Sequence, residues 1–524
     1  MLKRIALGSL CCLSISAAAV AADAGSLKKR AVAGVEARAK LAQQINDSVF
    51  SFAELGYQEV ETSRYLTTLL EQNGFKIERG VAGIPTAWTA RWTNGNGGPV
   101  IALGSDIDCI PKASQKPGIP WHEPMIEGAP GHGEGHNSGQ AVNVVAALAV
   151  QEIMRRSNVA GTLMLWPGVA EELLGAKAYF VRDGVFGGVD AVIFTHVDDK
   201  FGVSWGQPRG TGLVSVEYTF HGEAAHSAMA PWRGRSALDA VELMDMAWDK
   251  RREHLRPEQR SHYVITDGGD QPNVVPSVAS VWYYFREQSF DAIQKNFGLG
   301  NKMADAAAAM TDTTVTRRIR GAAAPQHFNK PIAEAADRNV QAVGLPVWSD
   351  DEQAFAKAVQ KNLGTKEEGL TTKVDGLKPP PAEPLSGGSD DIGDVSWTVP
   401  TIVVRYPANI PGLPGHHWAN AIAMATPIAH KGVVAGSKVV AMTTLDLLTS
   451  EKLRSSARDY FTNVQTKDQK YVPILGAEDR PVIEMNADTM ARYREQLKKY
   501  YYDSSRYDTY LDQLGIKFPT LNKE

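Results

Sequence analysis

The stretch Pro99-Val100-Ile101-Ala102-Leu103-Gly104-Ser105-Asp106-Ile107-Asp108 runs from unbroken apolar residues into a polar turn with two carboxylates. An apolar run without alternation predicts a strand buried on both faces, the kind found in parallel sheets. Working outward, Ser138 to Arg156 is rich in Ala and Val and predicts an amphipathic helix. Gly161 to Trp166 and Val189 to Thr195 are further short apolar runs of buried-strand type. Upstream, Leu27 to Asn73 reads as helical, with Leu41, Ile45, Val49, Phe52, Leu66, Leu69 and Leu70 at helical spacing. Strands alternating with helices predict an α/β domain with a largely parallel sheet covered on both faces.

The pattern changes near Arg209. Leu213 to Phe220 alternates as a half-buried strand, followed by helix-like Arg235 to Arg251, then His262 to Thr266, Ala279 to Arg286, a helix over Phe290 to Thr311, and Thr313 to Ile319. Strand, helix, strand, strand, helix, strand is the order of a small ferredoxin-like α+β sandwich inserted within the first domain. From about Pro331 the chain returns, adding a strand at Thr401 to Arg405 and a closing helix at Ala429 to Thr449. The predicted division is 27–208 and 326–450 for the main domain, 209–325 for the insertion and 451–524 for a C-terminal extension. Thr365 to Pro384, with Lys378-Pro379-Pro380-Pro381, reads as a surface loop. The Tyr-rich tail (Tyr500, Tyr501, Tyr502, Tyr507, Tyr510) reads as a packing arm rather than a binding element.

A chain of 524 residues exceeds one compact core. Its net charge of −4 spreads no basic field over the chain and gives no sign of a nucleic-acid partner. Residues 1–21 read as a secretory signal: Lys3 and Arg4, an apolar stretch Ile5 to Val20, and small residues Ala19-Val20-Ala21 as a cleavage site. The run is short for an anchor, and neither Cys11 nor Cys12 follows a small-residue lipobox. Export to the periplasm or medium is therefore expected. Cleavage would leave Cys109 alone, so no intrachain disulfide is expected. No later apolar run is expected to reach the length that spans a bilayer.

Four polar clusters fall where strands should end, the place where open α/β sheets build their sites. They are Gly131-His132-Gly133-Glu134-Gly135-His136-Asn137, then Glu171-Glu172, then Thr195-His196 with Asp198 and Asp199, and finally Gly415-His416-His417-Trp418. Each alone has a plainer reading: a flexible loop, a solvated Glu pair, a hydrogen-bonded core His. Together they supply carboxylates and imidazoles in the ratio of a dinuclear zinc-type site.

In this order the clusters resemble the metallopeptidase family of aminoacylases, glutamate carboxypeptidases and indoleacetyl-amino-acid hydrolases, and within it the aminobenzoyl-glutamate hydrolase branch. Ala225-His226, Gly234 to Ala240, Pro272 to Pro276, Ser389 to Trp397 and Pro414-Gly415-His416 add to the likeness, which covers Leu27 to Leu448. The resemblance implies a zinc-peptidase-like catalytic domain whose inserted domain is a lid that also makes a homodimer. It implies that Glu134, His136, Glu172, His196 and His416 hold two divalent metals, zinc or alternatively manganese or cobalt. Glu171 would be the general base for the attacking water. Asp108 would orient a ligand histidine from behind, and His226 would stabilise the oxyanion, often across the dimer interface. Asn273 and Arg286 are weaker candidates for gripping substrate, a structural salt bridge being an equal reading for Arg286. His132 and His417 are assigned structural roles.

One position departs from the branch, which carries cysteine where this chain has Glu134. A carboxylate remains a competent ligand, and an exported enzyme gains from having no oxidisable thiolate there. The implied activity is hydrolysis of an amide in N-acyl or aminobenzoyl amino acids or dipeptides. The alternative is a binding protein that keeps the fold without turnover. A serine hydrolase is given little weight, and Ser386-Gly387-Gly388-Ser389 lacks the spacing of a nucleophile elbow.

Overall fold

In the computed structural model, which describes residues 24–208, 210–382 and 387–523, two sheets with separate cores organise the chain. The export signal expected at 1–21 lies outside the described residues, as do Arg209 and Pro384.

The first sheet contains β1 (Lys76–Arg79), β2 (Trp88–Asn94), β3 (Val100–Asp106), β4 (Gly161–Gly168), β5 (Ala191–Asp198), β6 (Gly202–Val203) and, after the insertion, a strand at Thr401–Pro407. Its order is β1-β2-β4-β3-β5, then Thr401–Pro407, then β6. The central four strands are parallel, and β1, β2 and β6 join as antiparallel edges. The parallel centre is as expected. The edge strands escape sequence reading because β1 (Lys-Ile-Glu-Arg) is mostly exposed and shows no apolar pattern. Within the sheet, Gly104 of β3 lies opposite Trp166 of β4. A Cβ at Gly104 would stand 2.3 Å from the indole, so only glycine lets that ring lie across β3.

Helices 39–52, 139–157, 330–343 and 427–449 pack on one another beside this sheet. The segment expected as one helical stretch from Leu27 to Asn73 is broken into helices at 24–36, Ala39–Phe52 and Val60–Gln72. Left-handed backbone at Ala53 (φ 48°) and Tyr57 (φ 66°) separates the last two. Helix Pro427–Thr449 corrects another expectation, being 23 residues long and apolar enough by length and composition to cross a membrane. Of its most apolar window, 78% is buried inside the protein, which accounts for its hydropathy as a central core helix.

The insertion forms β7 (Gly212–His221), β8 (Arg260–Asp267), β9 (Val278–Glu287) and β10 (Thr314–Ala323), all antiparallel in the order β10-β7-β9-β8. The strand at Thr401–Pro407 is β11. Helices Ala237–Arg252 and Phe290–Thr311, capped by Ser236 and Ser289, cover one face of the insertion's sheet. Val214, Val216, Tyr218 and Phe220 of β7, with Val281, Tyr283 and Phe285 of β9, form that core. The α/β fold with an inserted ferredoxin-like lid is therefore the architecture.

The C-terminal extension packs back onto the main domain. Arg494 pairs with buried Glu54, Tyr502 N–H donates to Ser51 Oγ at 3.0 Å, and Tyr510 N–H donates to Asp47 Oδ2 at 3.2 Å.

Candidate metal centre

Strand β3 lies between β4 and β5, so the chain reverses its direction across the sheet there, and the polar loops gather at the carboxyl ends beside that switch. Loop 131–137 turns through Gly135 in a left-handed conformation (φ 84°), which presents His136 to the cavity just before helix 139–157. His196 stands near the end of β5, opposite Arg405 of β11. His416 lies in the loop after β11, also with left-handed backbone (φ 49°).

The Glu171–Leu173 turn is flanked by two non-glycine left-handed residues, Ala170 (φ 52°) and Leu174 (φ 51°). Such backbone persists only where surroundings hold it. Buried Glu59 accepts the Ala170 N–H at 2.8 Å, and Asp108 Oδ2 accepts the Glu172 N–H at 3.1 Å. Asp391 Oδ2 accepts the N–H groups of Ala176 and Lys177 at 3.3 and 3.0 Å. From the lid, Ala322 N–H donates to Leu174 O at 3.0 Å.

Glu134, His136, Glu171, Glu172, His196 and His416 line one cavity of about 580 Å³. His136 Nδ1 lies 3.6 Å from Asp108 Oδ1 and 3.8 Å from Glu172 Oε1. His416 Nδ1 lies 3.5 Å from Glu172 Oε2, and its Nε2 lies 3.8 Å from Glu134 Oε1. The rings of His136 and His196 stand 5.3 Å apart, nearly perpendicular.

These donors suit divalent cations. Asp108 Oδ1 and Glu172 Oε1 are buried without a hydrogen-bond partner among the described residues, a costly state for an anion unless a cation satisfies it. Burial, with the charges of Asp390 and Asp106 added, pushes Glu171 well above the ordinary carboxylate range. Burial also raises Glu172, which His136 opposes. Burial alone would depress the His136 imidazole, yet Asp108, Asp106 and Glu172 push it up to about 10. Burial and the Arg405 charge push His196 down to about 4, leaving a neutral imidazole whose Nδ1 lies 2.8 Å from Val197 O. A bound cation stabilises the ionised carboxylates and takes the place of the proton on imidazole.

Asp108 thus touches both His136 and the Glu172 backbone. Arg286 of β9 lines the cavity beside Tyr284, and its Nη1 donates to Ser389 Oγ at 3.0 Å. The salt bridge that is an equal reading for Arg286 in the sequence does not form among the described residues, where the guanidinium stands over the Tyr284 ring and donates to Ser389. His226 and Asn273 lie together on an exposed part of the lid, where Ser227 N–H donates to Asn273 O at 3.0 Å, and neither lines this cavity. His132 is buried against Val49 O, and His417 caps the Trp418–Ala421 turn. Sequence reasoning singles out neither Tyr284, Asp390 and Arg405 in the cavity wall nor Lys177 and Glu59 behind it. Their roles depend on distant chain segments, and even Asp390, inside the quoted Ser389 to Trp397 stretch, is not marked out by its neighbours.

Residues 211–308 match the peptidase dimerisation domain of the M20 family. A p-aminobenzoyl-glutamate hydrolase subunit of Escherichia coli (strain K12) is 32% identical over 464 residues, covering 84% of this chain and 96% of that protein. The Xaa-Arg dipeptidase of Mus musculus is 28% identical over 454 residues, covering 84% of this chain and 93% of that one. The crystal structure of an aminobenzoyl-glutamate utilization protein from Klebsiella pneumoniae superposes with a TM-score of 0.54 at 18% identity, over 79% of this chain and 96% of that one, a likeness of fold.

Proposed function

The chain belongs to the M20 peptidase family of metal-dependent amide and peptide hydrolases, and from that premise we propose an exported two-metal amidohydrolase acting on N-acyl or aminobenzoyl amino acids or dipeptides. The observation that carries the reading is the convergence of Glu134, His136, Glu172, His196 and His416 on one cavity with Glu171. Glu134, His136, Glu172, His196 and His416 would hold the two ions, zinc or alternatively manganese or cobalt. When bound, two such cations lower the pKa of water and polarise the scissile carbonyl. Glu171 takes the proton from the attacking water and delivers it to the leaving amine. Asp108 keeps His136 oriented, and Arg286 grips the carboxylate of the substrate's amino-acid half.

Dimerisation through the lid is part of the proposal. Beside His226, Met229 and Trp232 are each 73% exposed, apolar surface that a second copy would cover. His226 of one copy would then serve the other's cavity. Export rests on the residues before Ala22.

Metal content and amide hydrolysis, measured on purified protein before and after chelation, test the reading. Roughly two ions per chain are expected, with activity lost on chelation and restored by zinc or manganese. Glu171→Gln should retain the metal and lose about 10²- to 10⁴-fold in kcat. A chain that binds no metal and hydrolyses nothing after metal addition is a binding protein instead.

A further inference from the structure

We propose that Lys177 is a positioning residue of the metal centre, its buried ammonium fixing the Asp106 carboxylate beside the imidazoles of His136 and His196. The inference rests on the metal-centre reading above. The Lys177 side chain, just after Gly175-Ala176, is fully buried. Its Nζ lies 2.6 Å from Asp106 Oδ1, forms an ion pair with Asp391, and lies 3.7 Å from Asp390 Oδ1. It also stands 5.0 Å from the Phe194 ring centroid, two residues before His196. One lysine therefore ties the ends of β3 and β5 to Asp390 and Asp391, ahead of β11. Its own backbone N–H is held by Asp391, so the turn that carries Glu171 and Glu172 is fixed through the same residue.

The far end of this network meets the proposed ligands. An Asp106 oxygen and a ring nitrogen from each of His136 and His196 all lie within 4.8 Å of one another. Asp106 Oδ2 is buried without a hydrogen-bond partner among the described residues, while Oδ1 is engaged by Lys177. A carboxylate behind ligand imidazoles sets their orientation and basicity. Buried as deeply as Asp106, it keeps its charge and place only with a cationic partner. Lys177 is that partner, its one ammonium shared among Asp106, Asp390 and Asp391.

The test is cobalt titration of the full chain as wild type, Lys177→Met, Lys177→Arg and Asp106→Asn. It is read by visible absorption and chelator competition, with circular dichroism reporting the fold. Lys177→Met and Asp106→Asn should each bind cobalt about tenfold or more weakly with an altered spectrum, and Lys177→Arg should recover part of the loss. Asp106→Asn keeps an acceptor oxygen for Lys177, so it decides the matter if Lys177→Met does not fold. A folded Lys177→Met or Asp106→Asn with wild-type affinity and spectrum overturns the proposal. So does failure of both to fold, which makes the cluster a scaffold. A wild-type chain that binds no cobalt defeats the metal-centre reading itself, and this inference with it.

Discussion

Glu134 accepts the backbone N–H of His416 at 2.7 Å, joining the glycine-rich loop to a loop 282 residues further along the chain. The residue that departs from the branch pattern is thus tied to a proposed metal ligand, and as a proposed ligand itself its carboxylate would do two jobs. Glu134→Ala should drop metal content from roughly two toward one ion per chain and loosen the His416 loop. Glu134→Cys should still bind metal, because a thiolate is also a ligand, but should lose activity in peroxide where the wild type does not. Activity assays in oxidising and reducing buffer separate the cases, and equal resistance to oxidation would sink the protective role assigned to Glu134.

Half-buried His327, at the return from the lid, faces Tyr460 of the C-terminal extension, with Nε2 3.3 Å from the hydroxyl. Burial pushes its imidazole down from 6.5 to about 4. The folded state therefore keeps it neutral while the unfolded chain takes up a proton. The stability this provides is present above pH 6.5 and is lost as pH falls toward 4. Denaturant titrations at several pH values should show wild-type stability falling across that window, and His327→Gln should fall less steeply. Parallel curves for the two proteins would remove His327 as the cause.

How much of this was legible follows from the range of each interaction. Val100 to Leu103 and Gly161 to Leu165 revealed the parallel centre because burial on both faces writes itself into consecutive residues. The candidate ligand clusters were visible because short glycine-rich or paired motifs concentrate donors locally. Lys177 and Asp106 were not, since a 71-residue separation leaves no local trace of a buried ion pair. Glu59, just ahead of the Val60–Gln72 helix, holds the left-handed Ala170 peptide across a separation of 111 residues, so no local pattern marks it. The tail's helices were hidden for the opposite reason: their faces are largely polar, and only single residues such as Met490 and Leu497 reach a core.

Among the described residues, Arg286 is the lid's one arginine in the cavity wall, and its Nε is buried without a partner there. A guanidinium so placed is ready for a bidentate carboxylate. Arg286→Ala should raise KM for an N-acyl amino acid about 10- to 100-fold. Metal content should be unchanged, and the loss should be much smaller for the same substrate with its carboxylate amidated. Steady-state kinetics on the two substrates provide the comparison. An equal loss on both would mean that Arg286 supports the wall rather than the substrate.

His226 does not line the cavity of its own chain, whereas Glu171 does, so the two can be inactivated on separate copies. Suppose His226 acts across a lid-mediated dimer. A hybrid of Glu171→Gln with His226→Ala then contains one cavity that has an intact Glu171 and faces an intact His226 from its partner. Its other cavity lacks both. Mixing the two inactive proteins under conditions that allow exchange should restore about a quarter of wild-type activity, because half the dimers are hybrids and each has one working site. If His226 instead swings into its own cavity by lid closure, every cavity in the mixture lacks one of the two groups. The recovered activity would then be nil at every mixing ratio. If the chain stays monomeric in sedimentation, dimer-based complementation is excluded and lid closure becomes the route by which His226 would act.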